Sequence, residues 1–297
     1  MSRRLYTTAA QLLARAQEKG VPLSAVVLEQ ESLLSEVPSE ELRARMALHL
    51  RVMKEAVERG IKEGVRSRSG LTAGLARRVE EFRLRGGRLL GGLLDRVAVA
   101  ALAVAEVNAA MGKIVAAPTA GACGVLPGAL LPVAEEVGAA DEQVVDALFT
   151  AAGIGQVAAE QVEISGAAGG CQAEMGVASA MAAAAVVELS GGSPEEALHA
   201  AAAALQNLLG LVCDPVAGLV EVPCIQRNAL GAANALLCAD LARAGMKNLI
   251  PLDEVIQALK EIGRLLPCEL KETALGGLAA TPTGRRIAEA FGGSEAL

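Results

Sequence analysis

Between residues 172 and 209 the chain runs through two alanine-rich stretches, 172–189 and 193–209, in which almost no side chain is larger than leucine. Alanine and leucine are the strongest helix formers, and helices faced with alanine can approach one another closely. The same economy holds throughout: 53% of the 297 residues are apolar, yet only three are Phe, one is Tyr and none is Trp. A core filled by Ala, Val and Leu, with few alternating β-branched runs, predicts an all-α protein of about ten or more helices.

Punctuation divides those helices. Breaks fall at Gly20-Val21-Pro22 and Val37-Pro38-Ser39, and helical patterns cover residues 95–111, 141–162, 227–244 and 251–265, with a terminal helix from about 285. Ser193-Pro194-Glu195-Glu196 is a start signal, with Ser as N-cap, Pro at the first helical position and Glu closing a capping box. The only histidines, His49 and His199, fall in ordinary helical contexts and read as structural. Residues 1–96 carry 18 Lys+Arg against 12 Asp+Glu, and the rest 9 against 22. The chain is therefore either one helical unit over 1–297 or two lobes, a basic 1–96 and an apolar 97–297. The basic third is a solvated helical surface or a patch for an acidic partner. It lacks the base-stacking aromatics of a nucleic-acid binder.

No membrane span is expected. The longest charge-free run, 114–134, holds Pro118, Pro127, Pro132 and three glycines, and other apolar runs fall short of the ~20 residues a span needs. Six cysteines without a secretory leader point to a reducing cytoplasm, where clustered thiols bind metal more often than they form disulfides.

Chemistry gathers at the breaks. Cys171 follows Ser165-Gly166-Ala167-Ala168-Gly169-Gly170, and Cys213 and Cys224 bound a Gly- and Pro-containing segment. Glycine lets the backbone approach a ligand closely there. The cysteine intervals of 42 and 11 residues fit neither paired zinc ligands nor the compact ferredoxin run, so spacing alone leaves structural thiols and metal ligands both open. Two turns suit an anion. Arg66-Ser67-Arg68-Ser69-Gly70-Leu71-Thr72 offers hydroxyls, N–H groups and guanidinium, and Pro118-Thr119-Ala120-Gly121-Ala122-Cys123-Gly124 can present a concave run of N–H groups. Cys238 reads as a buried mid-helix thiol, while Cys123 and Cys268 are ambiguous.

Four strings are long and little degenerate: APTAGACGVLPGALLP (Ala117 to Pro132), GCQAE (Gly170 to Glu174), CDPVAGLVEVPC (Cys213 to Cys224) and LPCELKETALGGLAATPTG (Leu266 to Gly284). They resemble the α chain of the oxygen-sensitive iron–sulfur L-serine dehydratases (L-serine ammonia-lyases), over roughly the last two thirds of the chain. The resemblance implies a 4Fe-4S cluster at loops between helices, held by Cys171, Cys213 and Cys224, with one iron free to take the substrate hydroxyl as a Lewis acid. It implies substrate contacts at Ser69, Gly70, Thr119, Ala120, Gly121 and Asn228. Elimination of water from L-serine gives aminoacrylate, then an imine, then pyruvate and ammonia. Pyridoxal phosphate is not expected, since no lysine lies between Lys113 and Lys247. The α-proton base is not identified by any motif; Glu174, Asp214, Glu221 and Lys271 are the candidates. Relatives are single fused chains or α/β pairs, and this chain reads as the α member of a hetero-oligomer with a separate β chain. Fused relatives shield the open iron with a terminal cysteine, whereas this chain ends Glu295-Ala296-Leu297, leaving solvent, Cys268 or a partner group for that place. Two other readings are the same elimination on L-cysteine or L-threonine, and a non-catalytic helical scaffold with a structural metal.

Overall fold

A computed structural model describes residues 4–87 and 89–292. The fold is all-α, with thirteen α-helices and no strands among the described residues, apart from two isolated bridges. In chain order the helices are α1 (Ala9–Lys19), α2 (Leu23–Ser35), α3 (Ser39–Glu63), α4 (Leu75–Leu84), α5 (Gly92–Ala109), α6 (Val125–Val137), α7 (Asp141–Gln161), α8 (Gly166–Gly169), α9 (Val177–Leu189), α10 (Pro194–Gln206), α11 (Cys224–Arg243), α12 (Leu252–Leu265) and α13 (Pro282–Gly292). No helix is long and apolar enough to cross a membrane.

The alanine-rich stretches form the middle of the protein. Every residue of α9 from Val177 to Val187 is buried, as expected of a helix apolar on all sides, and it is enclosed by α6, α7, α10 and α11. Its apolar core is continuous with side chains of α1, α2 and α3, so the basic and apolar portions of the sequence share one interior. Small side chains set the helix separations. At the crossing of α3 and α5, a Cβ added to Gly60 would lie 2.5 Å from the carbonyl oxygen of Ala103. Gly60→Ala should therefore cost about 1–3 kcal/mol of stability through overpacking, read as a lower midpoint in denaturant; an unchanged midpoint would show that this crossing adapts.

Charged groups then pin the layers. Glu106 of α5 is buried and accepts from the backbone N–H groups of Leu75 (2.7 Å) and Ala76 (2.9 Å), so a carboxylate meets the positive end of α4. That fixes the start of α4, and with it the 66–74 turn, against α5. The capping box of α10 forms as its sequence predicts, Ser193 and Glu196 exchanging side-chain to backbone hydrogen bonds.

One predicted helix has a different shape. Residues 172–189 do not form a uniform α-helix, because Gln172–Gly176 is a π-helical turn leading into α9. Gln172 is held on three sides: its Nε2 donates to the carbonyls of Gly169 and Leu259, and its Oε1 accepts from the N–H of Gly210. The widened turn is tied to α8 and α12 at its first residue, and π turns of this kind recur at functional sites.

Candidate active site

Three loop segments converge at the N-terminal ends of α9 and α11. Cys171 precedes the π turn and is preceded by Gly170 at φ 79°, a left-handed conformation that glycine adopts without strain. Cys224 is the first residue of α11. Cys213 lies on an extended strip paired with the segment after α12: its N–H donates to Leu270 O at 2.9 Å, and its carbonyl accepts from Glu272 N at 2.8 Å. The three thiols line one cavity of about 200 Å³ together with Thr119, Ala120, Gly121, Glu174 and Glu272. That volume exceeds what one or two waters occupy.

All three cysteines are buried. Burial raises the Cys171 thiol to about 11 against the pull of the Arg227 charge, and raises Cys224 to about 12 with further push from Cys171. Cys213 is raised by burial and then by Cys171, Glu272, Glu174 and Cys224. Three soft sulfur donors on one cavity form a donor set suited to iron or zinc. Among the described residues, no three His, Cys, Asp or Glu side chains stand close enough to hold a metal ion as placed; the three thiols meet as parts of the lining of one cavity. Thr119 Oγ1 is buried at the cavity beside Glu174. Three thiols brought to one cavity form a donor set that fits a resident iron–sulfur group.

Two carboxylates complete the wall. Burial raises Glu174 above the usual carboxylate range, opposed by the Thr119 hydroxyl and reinforced by Glu272. Gly166 shows how tightly they meet: a Cβ added there would lie 2.7 Å from Glu174 Oε2, 2.9 Å from Cys213 Sγ and 3.2 Å from Glu272 Oε2. A methyl there would push these groups aside.

The other expected site residues divide by place. Thr119, Ala120 and Gly121 line the cysteine cavity. Ser69 and Glu221 line a larger neighbouring cavity of about 860 Å³, whose walls share Ala120 and Val220 with the smaller one. Glu221 is buried and accepts from Thr72 Oγ1. Gly70 lines neither cavity; its N–H turns inward to Ser67. Asn228 also stands behind the wall, with Oδ1 accepting from Gly124 N and Nδ2 donating to the carbonyls of Gly121 and Cys224, so it fixes the 118–124 turn against the start of α11. Asp214 is occupied by Arg227 and by the N–H of Leu278. Lys271 borders a different cavity, against α7 and α12. Cys123 and Cys238 are buried in helix packing, and Cys268 is exposed and lines no part of the cysteine cavity. His49 is exposed on α3, and His199 sits beside Glu195 on α10. Residues 295–297 lie outside the described residues.

Three residues here were not singled out from the sequence: Gly166, Glu272 and Arg227. Each lies inside or beside a noted string, but only pairing of the Cys213 strip with residues 270–272 reveals that Glu272 faces the thiols while Lys271 borders another cavity.

Fold and site together define a helical protein whose interhelical loops gather three thiols and two carboxylates around one small cavity. The model of the family "Serine dehydratase alpha chain" matches residues 18–279, and the chain belongs to that family. It is 50% identical to the probable L-serine dehydratase, alpha chain, of Bacillus subtilis (strain 168), over 98% of this chain and 97% of that protein. It is 42% identical to the L-serine dehydratase, alpha chain, of Peptoniphilus asaccharolyticus, over 97% and 98%. To L-serine dehydratase 2 of Escherichia coli (strain K12) it is 40% identical over 92% of this chain, which spans 61% of that protein.

Proposed function

We propose that this chain is the cluster-bearing subunit of an L-serine dehydratase, which converts L-serine to pyruvate and ammonia. The observation that carries the reading is the meeting of Cys171, Cys213, Cys224 and Glu174 on one cavity, in a chain whose relatives are named L-serine dehydratases over nearly its full length. Cys171, Cys213 and Cys224 would hold a 4Fe-4S cluster, which when bound supplies a Lewis acid for the departing hydroxyl.

The remaining steps belong to the polypeptide. The turn from Thr119 to Gly121, braced from behind by Asn228, receives the substrate at the cavity wall. The larger cavity bordered by Ser69 and Glu221 is the approach, since the two cavities share a wall at Ala120 and Val220. Elimination removes a proton from Cα and hydroxide from Cβ. Glu174 is the group of this chain best placed to handle a proton in the cavity, because Asp214 is bound on both oxygens, Glu221 and Lys271 border other cavities, and Glu272 is exposed at the rim. Aminoacrylate, once released, tautomerises to an imine that water hydrolyses.

A separate β chain completes the enzyme in this reading. Relatives of the same length are called alpha chains, whereas the Escherichia coli protein carries additional length that this chain does not match. Substrate choice is tested with anaerobically purified protein and its β chain on L-serine, L-threonine and L-cysteine. Equimolar pyruvate and ammonia from L-serine, at a kcat/KM above the other two amino acids, is expected. Preference for L-cysteine would turn the assignment to the sister elimination, and indifference to all three would leave a structural metal protein.

A further inference from the structure

We propose that Arg227 is the positioning residue that assembles the three cysteines into one donor set; this rests on the cluster reading above. Arg227 stands at the centre of the three segments. It lies three residues, or one helical turn, after Cys224 on α11. Its Nη1 donates to Val212 O at 2.8 Å and its Nη2 to Asp214 Oδ1 at 2.9 Å, so the guanidinium grips Cys213 from the residue on either side. Beside it is the Cys171 sulfur.

The grip extends one segment further. Asp214, once held by Arg227 on Oδ1, accepts from Leu278 N at 2.8 Å with Oδ2, and the strip between them, residues 270–272, is the one that pairs with Cys213 and brings Glu272 to the cavity. The side chains of Arg227 and Asp214 are only 14% and 4% exposed. A buried pair of this kind is weak evidence for stability in itself. Its value here is geometric: a planar guanidinium presents five N–H donors in a fixed fork, which lets one residue serve two acceptors around Cys213 and still face Cys171. Lysine would retain the charge but not the fork.

The test uses the full chain, reconstituted with iron and sulfide under argon, and follows loss of visible iron–sulfur absorbance in excess chelator. Arg227→Met should release iron about 10–100-fold faster, the usual scale for losing a group that orients metal ligands, and Arg227→Lys should fall between Met and wild type. Arg243→Met removes an arginine of the same helix that bonds instead to Ser190, Gly191 and Glu196 and should match wild type. In the metal-free chains, hydrogen exchange at residues 211–215 should quicken in Arg227→Met and not in Arg243→Met. Should Arg227→Met fail to fold, Arg227→Lys decides: iron release and exchange equal to wild type would overturn the proposal. Absence of any iron–sulfur absorbance in wild type would instead count against the cluster reading, and the exchange measurement would still judge the positioning role.

Discussion

Cys171→Ala, Cys213→Ala and Cys224→Ala are each expected to abolish iron–sulfur absorbance and pyruvate formation together, while Cys238→Ala leaves both close to wild type. The cavity receives one sulfur from each of three separate segments, so any single removal leaves two donors for a group that needs three. A Lewis acid at the leaving hydroxyl contributes several kcal/mol to the barrier, or ~10³-fold or more in rate. Cys238 makes its contacts with Asn207 and Asn234 inside the α10–α11 packing, away from the cavity, and is the matched control for loss of a buried thiol. Retention of full absorbance and turnover by Cys171→Ala would break the ligand assignment. In the proposed cluster one iron would have no protein ligand, so exposure to air should inactivate the loaded wild-type protein, with recovery in ferrous iron and thiol under argon.

The second large effect concerns the partner. Isolated, this chain should turn L-serine over at least ~10²–10⁴-fold more slowly than it does with its β chain, the usual contribution of one positioned acid or base. The elimination moves protons at two places, yet among the described residues neither His49 nor His199 borders the cysteine cavity, and its ionisable side chains other than the thiols are Glu174 and Glu272. Glu272 is exposed although it borders the cavity, so the cavity rim is open where a second chain could supply the missing group. The check is an anaerobic pyruvate assay of the reconstituted α chain before and after adding the β chain. Full turnover by the α chain alone would remove the need for a group in trans and leave the base among the carboxylates of the cavity, Glu174 and Glu272.

Much of this could be read from the chain itself. Alanine-rich composition and missing aromatics require helices at close separation, and α9 with its wholly buried middle is the result. Ser193-Pro194-Glu195-Glu196 specifies a helix start through side chains within four residues of one another, so α10 begins where its sequence says. The cysteines at Gly- and Pro-rich breaks were legible as a group because helix ends are where the backbone turns and where buried donors can converge. Each of these inferences depends on near neighbours in sequence.

What tertiary structure alone decided depends on residues far apart. Asn228, expected at the substrate, makes its hydrogen bonds to Gly121 and Gly124 across more than 100 residues and so serves as a brace. Lys271 and Glu272 are adjacent and equally polar in sequence; pairing of their strip with Cys213, through Leu270 and Glu272, sets which of them borders the thiols. Glu106 is an unremarked acid until the first turn of α4 is laid against it. Gly166 carries no chemical signal, and its place at the site comes from three groups on three segments meeting where a methyl would stand. Sequence fixes helices and their ends because those obey short-range propensity and capping. The choice of which face of a loop points into a cavity is made by long-range packing and hydrogen bonding, and no local pattern encodes it.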